Sequence, residues 1–240
     1  MNRKIVAIHQ PNFFPWLGYF DKITRCDLFI FMDNVQFPKT GGGTWVNRVK
    51  LCINKEPKWV TVPVRRSSGI HTICHTEIDN TAPWRDKLLN TLRLHYGRTS
   101  HYRQLEPLIA ELVGYRTNLL ADYNIHAITR LCSELGFDTK KLMRGSALQA
   151  DGSATDLLIE MTKSVGGTAY MCGGGAGGYQ EDEKFRLDDL ELVYQNFKHP
   201  QYPQHPSADF TVGLSILDAL CHCGIQGTRE LLTTSERHSE

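Results

Sequence analysis

The chain has 240 residues, of which 41% are hydrophobic and 22% charged, and its formal net charge is +1. This is the composition of an ordinary globular protein, long enough to bury a sizeable core without disulfides. The balanced charge excludes a whole-protein field that would attract nucleic acid or an anionic membrane, and no Lys/Arg run forms a nucleic-acid patch.

The N-terminal apolar stretch is too short for a signal peptide, because His9-Gln10-Pro11 ends it. No run of about 18 apolar residues occurs, so the sequence predicts no membrane span, and we expect a cytoplasmic protein. Seven cysteines are an odd number, and without an export signal we expect reduced thiols. Cys221-His222-Cys223 is spaced like a metal-binding pair, but a helix would point residues two apart in different directions, so we predict no metal site.

The first elements predict a β-loop-α-β unit. Ile5–Ile8 is a short β-branched run typical of a buried strand, and Trp16–Arg25 has helical spacing after Pro15. Leu28–Met32 predicts a second buried strand, which would lie parallel to the first. Asp33 then follows the C-terminal end of a strand, where open α/β sheets bind their ligands.

A hairpin and three helices are predicted next. After the flexible turn Gly41-Gly42-Gly43, two strands, Thr44–Cys52 and Lys58–Val64, would be joined by Asn54-Lys55-Glu56-Pro57. Three amphipathic helices follow, the last ended by Gly136 as a C-cap: Pro83–His95, Leu105–Val113 and Asn118–Leu135. We expect residues 81–137 to form a helical insertion, a subdomain or one side of the sheet.

Strands and helices alternate again in the last third. The predicted elements are the strands Lys141–Arg144, Thr168–Cys172 and Leu190–Phe197, the helices Ser153–Val165 (with Ser153 as cap) and Val212–Leu220, and a frayed tail Ser235–Glu240. This alternation predicts one α/β domain over residues 1–240: a Rossmann-like, mostly parallel sheet flanked by helices, with an inserted β-hairpin.

The segment from His9 to Lys22 is the first candidate site. His9 directly follows a strand and suits a general base or a phosphate contact, although it could instead fix the shape of the loop. Gly18 would let a phosphate approach the start of the helix, or would serve close helix–strand packing. The segment offers further candidate substrate contacts, some of which could equally lie on a solvated helix face: Gln10, Pro11, Trp16, Tyr19 and Lys22.

A second candidate group surrounds the hairpin and comprises Asp33, Gln36, Trp45, Asn47 and Arg48. Asn47 and Arg48 offer donors for phosphate or carboxylate, and a guanidinium can bind two oxygens at once. Trp45 could stack on a base or a sugar ring, or could simply pack against the hairpin.

The glycine-rich run Gly173–Gly178, including Gly174, leaves a predicted strand and could cradle an anion. It is not a Walker A loop, because no Gly-Lys-Ser/Thr follows. Cys172 could be a nucleophile or a buried strand-end thiol. His199, Tyr202 and Gln204 follow the last strand, and if that strand is parallel to the first, their loop converges on His9.

Motifs that run in order across nearly the whole chain resemble those of the WbqC-like protein family. They are His9-Gln10-Pro11, Pro15-Trp16-Leu17-Gly18-Tyr19, Asp21-Lys22, Asp33-Asn34-Val35-Gln36-Phe37, Trp45-Val46-Asn47-Arg48, Trp59-Val60-Thr61-Val62-Pro63-Val64, Tyr170, Gly173, Tyr179, Phe185, His199-Pro200-Gln201-Tyr202-Pro203-Gln204 and Leu214-Ser215-Ile216-Leu217-Asp218. In one departure, Cys172-Gly173 stands where a Ser-Gly is expected. A weaker similarity links Trp16-Leu17-Gly18-Tyr19 to the His-x-Gly-His layout of nucleotidyltransferases, with both histidine positions aromatic here.

The resemblance implies a step in surface-polysaccharide (O-antigen) biosynthesis. The activity it implies is transfer of an acyl or aminoacyl group, such as glycyl, to a nucleotide-linked amino sugar, with His9 as general base. The donor stays open between acyl-CoA, a carrier protein, aminoacyl-tRNA and a free amino acid with ATP. Two alternatives stand beside it: a non-catalytic protein that binds a nucleotide sugar or glycan, and a hydrolase that uses Cys172 with His9 or His199.

Overall fold

The structure, a computed structural model, describes residues 3–38, 44–65, 71–173, 181–204 and 209–234. The strands in these ranges are β1 (Ile5–His9), β2 (Leu28–Phe31), β3 (Arg48–Ile53), β4 (Glu56–Thr61), β5 (Leu142–Arg144), β6 (Ala169–Cys172) and β7 (Glu191–Tyr194). The helices are α1 (Leu17–Arg25), α2 (Trp84–Tyr96), α3 (Tyr102–Gly114), α4 (Leu120–Glu134), α5 (Ala154–Ser164), α6 (Asp182–Leu187) and α7 (Ile216–Thr234), with short 3-10 turns at Ile73–His75 and Gly145–Ala147.

Five parallel strands form the central sheet in the order β5-β2-β1-β6-β7. The chain builds outward from β1 in one direction and then from β6 in the other, so the strand order reverses between these two neighbours. In open α/β sheets, ligands bind at this reversal, beyond the carboxyl ends of the strands. The predicted α/β class with a parallel sheet and flanking helices is confirmed.

The two faces of the sheet bury different cores. Alternate strand residues such as Ala7 and Phe31 pack with α1, α2, α3, α4 and α7 in one hydrophobic cluster, which the hairpin also joins. Their neighbours Ile8 and Ile30 pack with α5 and α6 in a second cluster on the opposite face. The helices α2–α4 therefore share a continuous core with one side of the sheet.

The β3–β4 hairpin is tighter than the sequence predicts. Asn54 and Lys55, with φ of 52° and 67°, form a two-residue turn with two positive φ angles, as in type I′ turns. Glu56 and Pro57 were predicted in the turn but pair with β3. Pro57 is tolerated because β4 is an edge strand of this two-stranded sheet. The predicted strands Thr44–Cys52 and Lys58–Val64 stop short of this turn and are too long at their other ends, because β3 begins at Arg48 and β4 ends at Thr61.

The terminal helix is longer than predicted. It runs from Ile216 to Thr234 rather than ending at Leu220, although Gly224, with φ of 72°, kinks it. Gly136 follows the end of α4 with φ of 71°, as predicted for a C-cap. Ser153, the predicted cap of α5, makes no side-chain capping bond. The short helix α6 was not predicted. The predicted turn Gly41-Gly42-Gly43 and tail Ser235–Glu240 lie outside the described residues.

In the part of the chain that the structure describes, no helix is long and apolar enough to cross a membrane.

Candidate functional site

The strands β1 and β6 separate near their carboxyl ends. Their register ends at Ala7–Met171, whereas β1 continues beside β2 to His9–Phe31 and β6 continues beside β7 to Cys172–Tyr194. We call this place the switch point, and it is bordered by His9, Lys22 and Gly173. The predicted site at the β1–α1 junction therefore lies where the topology of the sheet places ligands.

Lys22 reaches the switch point from α1. The Lys4 carbonyl accepts the Ala169 N–H of β6, and alternate carbonyls of a strand face the same neighbour, so the Ile8 carbonyl also faces β6. Beyond the last registered pair, Lys22 Nζ donates to Ile8 O at 3.2 Å instead. The ammonium group thus fills the gap that opens between the two halves of the sheet.

The Lys22 side chain is buried with 3% exposure, and none of the ion pairs among the described residues includes it. The Tyr170 ring lies 5.9 Å from Nζ. Burial lowers the pKa of Lys22 from 10.5 to about 8, against a smaller opposing effect of two neighbouring cysteines. A buried ammonium without a carboxylate costs stability, which is typical of functional groups rather than structural ones.

His9 is neutral in this environment. Burial, and then the charge of Lys22, lower the pKa of the imidazole to about 3. Its Nδ1 lies 3.2 Å from the Gln10 carbonyl oxygen, which assigns the proton to Nδ1 and the lone pair to Nε2. The rings of Trp16 and Tyr19 meet the imidazole edge-on, with centroids 5.9 and 4.9 Å away, so its orientation is fixed.

Buried polar groups hold the loop after β1. The Tyr19 hydroxyl donates to Gln10 O at 3.0 Å, and Asn124 Nδ2 donates to Pro11 O at 2.8 Å and Val46 O at 2.7 Å. Tyr19 is therefore not on a solvated helix face. Its hydroxyl shapes the His9 loop, and the carbonyls of Gln10 and Pro11 are occupied within the protein.

Strain is stored in the same loop. Phe14 has a φ of 39°, a region that bulky side chains rarely adopt. Ser215 Oγ donates to the Phe14 carbonyl at 2.8 Å, and the Ile216 N–H donates to the Pro15 carbonyl at 2.9 Å. The Leu214–Asp218 motif thus anchors the strained loop.

Gly18 serves close packing. A Cβ atom there would lie 2.7 Å from Trp16 Nε1 and 2.8 Å from Phe197 Cδ1. Because these two side chains already lie against the glycine, the structure favours the packing alternative over the predicted phosphate approach.

An aromatic track leads from His9 to the hairpin. Trp16 contacts Trp45 with ring centroids 4.8 Å apart, and Trp45 contacts Trp59 at 4.9 Å. The Arg48 guanidinium lies 4.3 Å over the Trp59 ring. Trp45 is therefore part of a continuous aromatic surface, rather than an isolated stacking residue.

Asp33 and Gln36 lie at the carboxyl end of β2. Asp33 is fully buried and accepts hydrogen bonds from Ser146 N at 2.7 Å and Ser146 Oγ at 2.9 Å. Gln36 forms an isolated bridge with Thr72. The Asp33 carboxylate holds the turn after β5, and a ligand would have to displace that turn to reach it.

Asn47 is buried as well. Its Nδ2 donates to Val62 O at 3.1 Å, and its Oδ1 has no hydrogen-bond partner among the described residues. One of the two N–H donors of the amide nitrogen, the predicted ligand donor, is therefore already used by the protein.

Cys172 is fully buried on the α5/α6 face of the sheet. Its Sγ lies 3.7 Å from the Val193 carbonyl oxygen. This packing fits the strand-end alternative and disfavours a nucleophile, since the residue is fully buried. Gly173 follows at the switch point, whereas Gly174 and the rest of the glycine-rich run lie outside the described residues.

The loop after β7 leaves the sheet at the same edge as His9, because the two strands are parallel, but it does not converge on the imidazole. Its His199 lines a separate cavity of about 1190 Å³ between α1, α7 and this loop, and His9 is not among the residues that line it. His199 Nδ1 lies 3.1 Å from Pro200 O, Nε2 is buried with no partner among residues 181–204, 209–234 or the other described ranges, and burial lowers the pKa of the imidazole. The structure does not bring the two histidines together.

Tyr202 and Gln204 already have polar partners. The Tyr202 hydroxyl donates to the buried Asp218 carboxylate at 2.7 Å, and the Gln204 amide bonds the backbone of Thr211 in both directions. Tyr96 donates to the other Asp218 oxygen at 2.9 Å. These contacts fix the loop to α7, so a substrate contact by Tyr202 or Gln204 would compete with them.

Two structural residues near the site escaped the sequence analysis. Gln195, after β7, donates to Gly18 O at 2.6 Å and Asp21 Oδ2 at 2.8 Å. Asn124 lies on α4 and acts on the loop from more than a hundred positions away. Single polar residues in otherwise ordinary segments carry no local signal, so the sequence alone did not indicate these contacts.

The reversal of strand order, the loop of the first βα connection and the polar groups gathered there define a doubly wound α/β protein with a candidate ligand site at the carboxyl edge of its sheet. The family model of the WbqC-like protein family matches residues 10–230, and the chain belongs to this family. It is 31% identical over 228 residues to an uncharacterized protein of Mycobacterium tuberculosis, Rv1507c, covering 93% of this chain and 95% of the relative. No solved structure matches it.

Proposed function

We propose that the chain is a transferase that acylates the amino group of a nucleotide-linked amino sugar at the switch point. The observation that carries this proposal is a neutral imidazole beside a buried ammonium group that has no carboxylate partner among the described residues, at the place where the two halves of the sheet separate. The family resemblance, with its link to surface-polysaccharide biosynthesis, supplies the substrate class.

Lys22 suits an acceptor that must react as a free amine. An uncompensated positive charge disfavours a second one nearby, so a sugar ammonium that binds beside Lys22 loses its proton more readily than in water. A neutral amine is a competent nucleophile once it is held against the acyl carbon, and proximity supplies much of the rate.

His9 would take the proton released during transfer. The amine nitrogen attacks the acyl carbonyl, the new C–N bond forms, and the bond to the donor's leaving group breaks. His9 Nε2 accepts the proton from nitrogen and passes it to the departing group. The low pKa of His9 makes it a weak proton acceptor until negative charge lies close, and the acyl carbonyl oxygen gains that charge as the amine attacks.

The remaining contacts are assigned by charge. Arg48 would hold a phosphate of the sugar nucleotide. The acyl donor stays open between acyl-CoA, a carrier protein, aminoacyl-tRNA and a free amino acid with ATP. Cys172 has no role in this scheme, because it is enclosed in the α5/α6 core.

Mass-spectrometric transfer assays test the proposal with a panel of nucleotide amino sugars and donors. We expect His9→Ala to retain substrate binding while turnover falls about 100- to 10,000-fold, the usual contribution of a general base. His199→Ala is the matched control, because this histidine also carries a lowered pKa but lines the separate cavity. Unchanged turnover in His9→Ala would overturn the role of His9.

A second candidate is a non-catalytic protein that binds a nucleotide sugar or glycan. The pKa of about 3 at His9 favours it, since such an imidazole is a hydrogen-bond acceptor more than a base. Binding of the sugars with no product from any donor would select this candidate.

A further inference from the structure

The Arg48 guanidinium has an unused pair of donors. Its Nε and Nη2 atoms have no hydrogen-bond partner among the described residues, and both are inaccessible to solvent, so an anion reaches them once the side chain moves from its place over Trp59. These two N–H groups lie on one edge of the guanidinium, the edge that binds two oxygens of a phosphate or carboxylate side-on. Buried donors without partners are rare in proteins, and an unpaired set of this geometry marks a place for an anion.

The surrounding charge is not neutralised. Arg48 and Lys50 lie two residues apart on β3 and so share one face of the hairpin. Neither takes part in an ion pair among the described residues, whereas Lys58 on β4 pairs with Glu56. The hairpin face therefore carries two positive charges that no described carboxylate neutralises.

An exposed aromatic ring lies between these cations. Trp59 is paired with Lys50 across the hairpin, and its ring contacts the Arg48 guanidinium at 4.3 Å and Lys50 Nζ at 5.2 Å. The residue remains 39% exposed, although it is large and apolar. An exposed tryptophan flanked by unpaired cations is the arrangement that binds a planar ring attached to phosphate.

We propose that the β3–β4 hairpin face is the subsite for the nucleoside diphosphate part of the ligand. The phosphate accepts hydrogen bonds from Arg48 Nε and Nη2, and the base stacks on the exposed part of Trp59. The subsite itself needs only a nucleoside diphosphate; the direction of the sugar rests on the proposed function.

The aromatic track gives that direction. Trp45 contacts Trp59 on one side and Trp16 on the other, and Trp16 contacts His9. A ligand anchored at the hairpin would extend along these rings, so that its sugar amine reaches the imidazole. This assigns the nucleotide to the hairpin and the reacting amine to the switch point.

Isothermal titration calorimetry with five common nucleoside diphosphates and inorganic pyrophosphate tests the subsite. Arg48→Lys keeps the charge but removes the two-donor edge, and we expect it to weaken binding of all these probes about tenfold. Trp59→Leu should weaken the tightest nucleoside diphosphate about tenfold, as loss of stacking predicts, but leave pyrophosphate unchanged. Arg93→Lys, an exposed site on α2 paired with Glu106, is the matched control.

Thermal unfolding of each variant shows whether it is folded, and Trp59→Leu tests the subsite even if Arg48→Lys does not fold. Equal affinity of the native chain and both variants, or no binding of any probe by the native chain, would overturn the subsite. If the variants weaken nucleotide binding but no donor yields product, the subsite stands and the transferase proposal fails. If both variants catalyse transfer with an unchanged KM for the nucleotide sugar, the transferase proposal stands and the subsite fails.

Discussion

Replacing Lys22 by methionine should make the protein more stable at neutral pH. Lowering the pKa from 10.5 to about 8 corresponds to about 3 kcal/mol, since each pKa unit is worth about 1.4 kcal/mol. Methionine removes this penalty at similar volume but leaves the Ile8 carbonyl without its donor, which costs about 1–2 kcal/mol. We therefore expect a net gain of about 1–2 kcal/mol in the free energy of unfolding at pH 7.

The dependence of stability on pH gives an independent test of whether the charged Lys22 side chain destabilises the folded chain. Below pH 8, Lys22 is charged in the folded and the unfolded chain, and the native protein carries the full penalty. Between pH 8 and 10.5 the unfolded chain binds more protons than the folded chain, so the stability of the native protein rises with pH. The advantage of the methionine variant should shrink through this window and then disappear.

Urea unfolding of both proteins, followed by circular dichroism under reducing conditions from pH 7 to 10.5, measures this difference. Lys141→Met is the matched control, because Lys141 Nζ also donates to backbone carbonyls, those of Thr24 and Cys26, and its removal should only destabilise. A Lys22→Met variant that is less stable than the native protein by the same amount at every pH would refute the reasoning.

Three further predictions concern the same region. NMR titration of the His9 ring should give a pKa of about 3 in the native chain and a higher value in Lys22→Met; as the pH falls from 6.5 to about 3, the protonating unfolded imidazole should reduce native stability. Gly18→Ala should cost about 1–3 kcal/mol in urea unfolding, because its methyl group overlaps two aromatic side chains. Asp218→Asn should cost about 1–3 kcal/mol at pH 7, because the amide nitrogen of asparagine cannot accept from one of the two tyrosine hydroxyls; unchanged stability in either variant would contradict these contacts.

Local patterns predicted the sheet well. Short β-branched runs, glycine ends and the alternation of strands with helices were enough for the parallel strands, because each signal lies within a few residues of the element it defines. The hairpin turn was misplaced because Pro57 is typical of turns, whereas an edge strand accommodates it. The terminal helix was cut short, because its continuation past the kink at Gly224 rests on packing from distant segments.

The candidate site was likewise only partly predictable from the sequence. The location of the candidate site was predictable, because His9 ends β1 and Lys22 lies on the helix that follows it. Parallel α/β sheets bind ligands beyond the carboxyl ends of their strands. Which polar groups are free was not predictable, because hydrogen bonds from distant residues decide it. Asp33 is bound by Ser146, and Tyr202 by Asp218, whereas the Nε and Nη2 atoms of Arg48 have no partner in the part of the chain that the structure describes. The separation of His199 from His9 likewise depends on how the last loop packs against α1.

A crystal structure with a nucleotide-linked amino sugar bound tests the central claim most directly. The account predicts that the sugar amine lies within hydrogen-bond distance of His9 Nε2, with the diphosphate at Arg48 and the base on Trp59. A sugar bound in the cavity beside His199, with His9 and Lys22 untouched, would contradict it.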